Sequence, residues 1–126
     1  MERRTRQREA IRQALAVADR PLSPQELLAR ASRALPGLGI ATVYRHLTRL
    51  DREGALRAVV LPGEPSRYEI AGKDHHHHFR CRACTAVFEL PHCPGDFERL
   101  APSGFLVENH ELFLMGLCAG CRDGQR

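Results

Sequence analysis

Apolar positions recur at helical spacing through the first half of the chain and gather into short runs after it. From Thr5 to Ala18, the residues Ile11, Ala14, Leu15 and Ala18 share one face, which predicts an amphipathic helix. Ser23-Pro24-Gln25-Glu26 reads as the start of a second helix. Ser caps it, Pro sits in the first turn where its missing N–H costs nothing, and Glu reaches back to close a capping box. This helix is expected to run to about Ala34, burying Leu27, Leu28 and Ala31, before Pro36-Gly37 breaks it. A third helix is expected from Ile40 to Glu53, stopped by Gly54. At about 100° per residue, Val43, Leu47 and Leu50 fall on one side of it, and Tyr44, Arg45, Thr48, Arg49 and Arg52 on the other. Leu56–Val60 and Arg67–Ile70 read as two short strands around Pro62-Gly63-Glu64-Pro65, a hairpin.

The chain has 126 residues, 43% hydrophobic and 27% charged, which suits one compact domain or two very small ones and excludes a mostly disordered chain. Two halves of about 60 residues would each be marginal alone, so an additional staple is expected. Residues 1–60 carry twelve Arg against six acids, whereas the remainder carries seven basic residues against nine acids. That polarity fits nucleic-acid binding at one end and cation binding at the other. Arg12 and Gln13 interrupt any signal-like apolar run at the start, and no stretch approaches a membrane span. A soluble, cytoplasmic protein without a membrane partner is therefore expected.

Three helices and a hairpin, with a basic exposed face on the third helix, is the order of a winged helix-turn-helix, whose third helix lies in the major groove. The alternative is that the arginine face is merely solvated.

The second half carries different chemistry. All five Cys and six of the seven His lie between residues 75 and 121, and in a reducing compartment such a cluster indicates metal rather than disulfides. Cys81-x-x-Cys84 and Cys118-x-x-Cys121 stand 33 residues apart. Two such turns supply four thiolates to one tetrahedral Zn²⁺, a structural ion that contributes on the order of 10 kcal/mol to folding. A redox dithiol is the competing reading of either motif alone. Cys93 is left over as a spare thiol or a further ligand.

His75-His76-His77-His78 leads directly into Cys81, and Ala86–Leu90 resembles a following strand. If the run is extended, His75 and His77 point to one side and His76 and His78 to the other, so that one run serves two sites. The alternative is a solvated histidine loop. Catalysis finds little support: HExxH is missing, the deaminase pattern fails, and four Cys around one zinc leave no position for water. The chain is expected not to be an enzyme.

Ala41-Thr42-Val43-Tyr44-Arg45, the four-His run leading into Cys81-x-x-Cys84, Asn109-His110 and Gly116-Leu117-Cys118-x-x-Cys121 together resemble the ferric uptake regulator (Fur) superfamily. The resemblance covers nearly the whole chain. It implies an α+β protein: an N-terminal winged helix-turn-helix (1–70), a hinge (71–74) and a small α/β dimerisation domain with a four-cysteine zinc site (75–126). It further implies a homodimeric, metal-dependent repressor on a palindromic double-stranded DNA operator, with no small organic ligand. Tyr44 and Arg45 resemble the DNA-contacting residues of the recognition helix, and Thr42 and Arg49 are the further DNA-binding candidates on it. Cys81, Cys84, Cys118 and Cys121 correspond to the structural zinc ligands. Glu69, His76, His78 and Glu89 correspond to the sensing site at the hinge, and His75, His77 and His110 to a second site completed by Glu98, with Asp96 as the competing acid.

Pro21 stands where the family often has a His that tethers the first domain to the hinge site. His77 stands where many iron regulators have Asp. Three imidazoles and a carboxylate suit Zn²⁺ better than iron or manganese. Zinc sensing, as in the zinc uptake regulator (Zur) branch, is thus expected ahead of iron, manganese or peroxide response. A zinc-stabilised module that contacts RNA or protein is the rival from another class.

Overall fold

The computed structural model describes residues 2–124 and divides into two compact units, Met1–Lys73 and Asp74–Arg126. Among the described residues, no helix is long and apolar enough to cross a membrane.

The first unit consists of helices α1 (Arg3–Ala18), α2 (Pro24–Ala31) and α3 (Ile40–Arg52), followed by strands β1 (Leu56–Val59) and β2 (Arg67–Ile70). Local signals set the helix ends that frame the turns. Asp19 takes a left-handed conformation (φ 51°) to end α1, and its N–H donates to the Leu15 carbonyl. At the start of α2, Ser23 Oγ accepts from the Glu26 N–H at 3.1 Å, and the Ser23 N–H donates to Glu26 Oε1 at 3.0 Å. That is the expected capping box.

Helix α2 stops three residues before the expected Ala34. The chain keeps turning to Leu35, whose N–H still donates to the Ala31 carbonyl, but bonds over three residues (Arg33 to Arg30, Ala34 to Ala31) tighten the end before Pro36. At the end of α3, the Gly54 N–H donates to Asp51 and the Ala55 N–H to Leu50, a Schellman closure that requires the positive φ of Gly54 (80°).

Ile11, Leu15, Leu22, Leu27, Val43, Leu47 and Leu50 form the core of this unit. Strands β1 and β2 pair antiparallel with Leu56 opposite Ile70, and Leu22 exchanges both backbone bonds with Tyr68 to add a one-residue third strand. This is the winged helix-turn-helix expected from the sequence.

The second unit has strands β3 (His77–Cys81), β4 (Val87–Leu90) and β5 (Phe113–Gly116), a 3₁₀ turn (Phe97–Leu100) and the short helix α4 (Ala119–Arg122). Strand β3 lies at the centre, antiparallel to β4 and parallel to β5. The sequence pattern does not announce β5. Its four residues are too few to display a period, and its partner lies some thirty-five positions earlier in the chain, so nothing local marks it.

His46 lies beside the Val43, Leu47 and Leu50 face of α3 and is buried with it. It is 5% exposed, and its Nε2 lies 3.2 Å from Gln7 Oε1, which joins α3 to α1. Burial, and then the charges of Arg49, Arg45, Arg8 and Arg4, hold its pKa below the ordinary 6.5. Stability that depends on neutral His46 is complete above pH 6.5 and is lost as pH falls through the lower folded value. Urea unfolding followed by helical circular dichroism between about pH 7.5 and 5.5 is expected to show a declining midpoint that His46→Gln flattens.

Candidate metal centres and nucleic-acid interface

In the first unit, the exposed face of α3 is as the helical pattern predicts. Val43, Leu47 and Leu50 are buried, whereas Tyr44 is 45% exposed and Arg45, Arg49 and Arg52 are exposed. The Arg45 guanidinium donates to Thr42 Oγ1 at 3.0 Å, which holds it along the helix surface. Arg8 grips Glu53 through both guanidinium nitrogens, at 2.7 and 3.2 Å, and fixes α1 to the end of α3. An arginine-rich helix face with one aromatic, held rigidly from behind, is equipped to meet phosphates and base edges.

In the second unit, the parallel pairing of β3 with β5 sets Cys81 opposite Gly116, so the turn after β3 and the turn after β5 lie side by side. Cys81, Cys84, Cys118 and Cys121 are thereby gathered with all four sulfurs within 4.8 Å of one another. Cys84 and Cys118 Sγ stand 3.9 Å apart. A tetrahedron of Zn–S bonds of about 2.3 Å has edges of about 3.8 Å, so the arrangement fits the ion.

The Cys118 and Cys84 N–H groups donate to Cys81 Sγ at 3.4 and 3.5 Å and pull its pKa down to about 5. Burial, and then bonding with the other thiols, pushes Cys121 up to about 12. Four thiols this close therefore concentrate negative charge on Cys81, and a divalent ion is what lets all four ionise.

The histidine run alternates as extended geometry requires, although β3 itself begins only at His77. His75 and His77 meet edge to face with ring centroids 4.5 Å apart, and His76 and His78 with centroids 4.9 Å apart. On the even side, His76 Nδ1 lies 2.7 Å from the Asp74 carbonyl and can only donate there, which leaves Nε2 as the ring atom able to hold a metal. That Nε2 is 3.5 Å from Glu89 Oε1, and β4 holds Glu89 opposite His78. Glu69 belongs to the first unit, where β2 holds it 1% exposed.

On the odd side, His75 Nε2 is 3.1 Å from His110 Nε2. The expected acid is absent from this group and Cys93 takes its place: Cys93 Sγ lies 3.2 Å from His77 Nε2 and 3.1 Å from His110 Nε2. Glu98 is exposed on the 3₁₀ turn. The preceding Phe97 packs on His110, with ring centroids 4.5 Å apart, and so takes the place beside the cluster. Asp96, the other candidate, pairs with Arg99 at 2.9 Å. The signal for Cys93 was in the sequence: a leftover thiol in Pro91-His92-Cys93-Pro94, in a half of the chain where the other four Cys already have partners. His77 is kept below the ordinary histidine pKa by burial and then by its neighbours His75, His110, His78 and His76, which favours the neutral form that binds metal.

Residues 2–115 match the ferric uptake regulator family. The ferric uptake regulation protein of Campylobacter jejuni is 32% identical over 124 residues, which cover 94% of this chain and 79% of that protein. Among solved structures, a zinc-bound manganese uptake regulator superposes with a TM-score of 0.78 at 27% identity, covering 89% of this chain and 87% of that one. FurB from M. tuberculosis, a zinc uptake regulator, does so at 0.54 with 32% identity and 95% coverage of both chains. This chain itself carries a winged helix followed by a small α/β unit with a four-Cys cluster and His-rich groups able to hold metal. The chain belongs to the ferric uptake regulator family, whose members are metal-responsive, DNA-binding transcriptional regulators rather than enzymes.

Proposed function

We propose that this chain is a zinc-responsive homodimeric repressor. Metal bound by Glu69, His76, His78 and Glu89 at the hinge sets two copies of α3 at the spacing of a palindromic operator. The observation that carries the zinc assignment is the donor set gathered in the second unit: the His75, His77, Cys93 and His110 group and the four-Cys cluster offer imidazoles and thiols, the donors that suit zinc over manganese or magnesium. The likeness to a zinc uptake regulator supports it.

Pairing of two copies through the second unit is supported by Leu100, Phe105, Leu106, Leu114 and Met115, which are 45–83% exposed in a small unit that has few other apolar surfaces to cover them. Regulation requires that metal bind the DNA-competent arrangement more tightly than the others, and the operator then tightens metal binding by the same factor. Footprinting on a selected operator with Zn²⁺, Fe²⁺ or Mn²⁺, and without metal, tests the reading. Protection that is zinc-dependent and two-fold symmetric supports it. Metal-independent or asymmetric binding would favour an RNA- or protein-binding module.

Three outcomes are expected. Arg45→Ala weakens operator binding with fold and zinc content unchanged. The loss is about 1–3 kcal/mol and sequence-dependent if the side chain reads a base, or uniform with a salt slope smaller by about one if it holds a phosphate. Cys81→Ser loses the structural zinc, and with it the folded second unit and the dimer, by metal analysis and sedimentation, because a hydroxyl does not replace a thiolate. A mutant that keeps a tightly held zinc and stays dimeric would refute the four-Cys assignment. His76→Ala and His78→Ala abolish zinc-activated DNA binding in a mobility-shift titration but keep the dimer, whereas His75→Ala and His77→Ala act more mildly, because the two pairs serve different ions. Equal loss of metal and of DNA binding in all four variants would instead indicate a single mixed cluster.

A further inference from the structure

Cys93 does not behave geometrically as a spare thiol. Its sulfur and the Nε2 atoms of His77 and His110 form a chain of contacts at 3.1–3.2 Å, His75 Nε2 joins His110 at 3.1 Å, and all four ligand atoms lie within 4.8 Å of one another. A ring nitrogen offers one in-plane proton or one lone pair, yet His110 Nε2 faces two partners at 3.1 Å. Hydrogen bonding satisfies such a group poorly, whereas four lone pairs converging on one cation satisfy it completely. At Zn–N of about 2.0 Å and Zn–S of about 2.3 Å, tetrahedral ligand atoms stand about 3.3–3.6 Å apart, close to the separations present.

We propose that Cys93 is the fourth ligand of a three-imidazole, one-thiolate site built by His75, His77 and His110. This gives the chain two sites outside the four-Cys cluster that differ in softness. A thiolate selects Zn²⁺ and other soft or borderline ions over Mn²⁺, whereas imidazoles with carboxylates accept a wider range. This site therefore holds zinc under conditions in which the hinge ligands can exchange their ion. The inference rests on the metal-binding half of the regulator reading and is independent of DNA binding.

The test uses the full-length protein with zinc retained in the four-Cys cluster, where it is spectroscopically silent, and Co²⁺ added to the remaining sites. The hinge ligands include no sulfur, so a near-ultraviolet thiolate-to-cobalt charge-transfer band reports Cys93 alone. The expected result is a band in the unsubstituted protein that Zn²⁺ bleaches and a large excess of Mn²⁺ leaves in place.

Cys93→Ser is expected to lose the band and about one equivalent of tightly held cobalt, and Cys93→Asp to regain the equivalent without the band. Retained zinc in the four-Cys cluster verifies that each variant is folded. No band in the unsubstituted protein, or a band that persists in Cys93→Ser, would overturn the assignment. Either result leaves the regulator reading to stand or fall on the hinge variants and the operator titration.

Discussion

The second unit depends on the convergence of donor atoms around one short strand. Its buried apolar side chains among the described residues are only Cys81, Ala86 and Val87, while His76, His77 and His78 are each 6% exposed or less. An interior made of imidazole and thiol cannot be held by area burial alone, since each polar group withdrawn from water requires a partner. Metal coordination answers both needs: it supplies that partner and crosslinks strands too short to hold together by themselves. Strand β3 therefore carries the histidines as well as the sheet, and its alternation decides which group of donors each one joins.

The first unit is built on the opposite principle. Aliphatic side chains from three helices, joined by Leu22 from the turn between α1 and α2, form a conventional core, and the polar face of α3 is left for a partner. No metal is needed to explain why it folds. The two units thus differ in what stabilises them: an aliphatic core in the first, and in the second a set of donor atoms able to hold metal.

That difference also governs what could be read from the sequence. Helices α1 to α3 and the hairpin were legible because helical period, the Ser23–Glu26 capping box and the Gly54 stop are local signals. The four-Cys cluster and the alternation of the histidines were legible because ligand spacing and strand period are local too. The misses were non-local. Parallel pairing of β5 with β3 leaves no mark in either strand, and His46 needed knowledge that Gln7 would lie beside it. Cys93 could be singled out as a leftover thiol, but that it rather than Glu98 folds back against His77 depends on the geometry of an irregular stretch, which residue type alone does not decide.

The connection between β4 and β5, residues 91–112, has one further consequence, and it is kinetic. Cys93 stands near its start and His110 near its end, and both meet His77 on β3. Until those two residues are drawn together, the ends of a long irregular segment must be closed at an entropic cost before parallel pairing rewards it. The first unit closes on an aliphatic core, whereas the closure the second requires is one that an ion holding both ends would trap. Metal supply would then set how fast newly made protein matures, as well as how much of it is active.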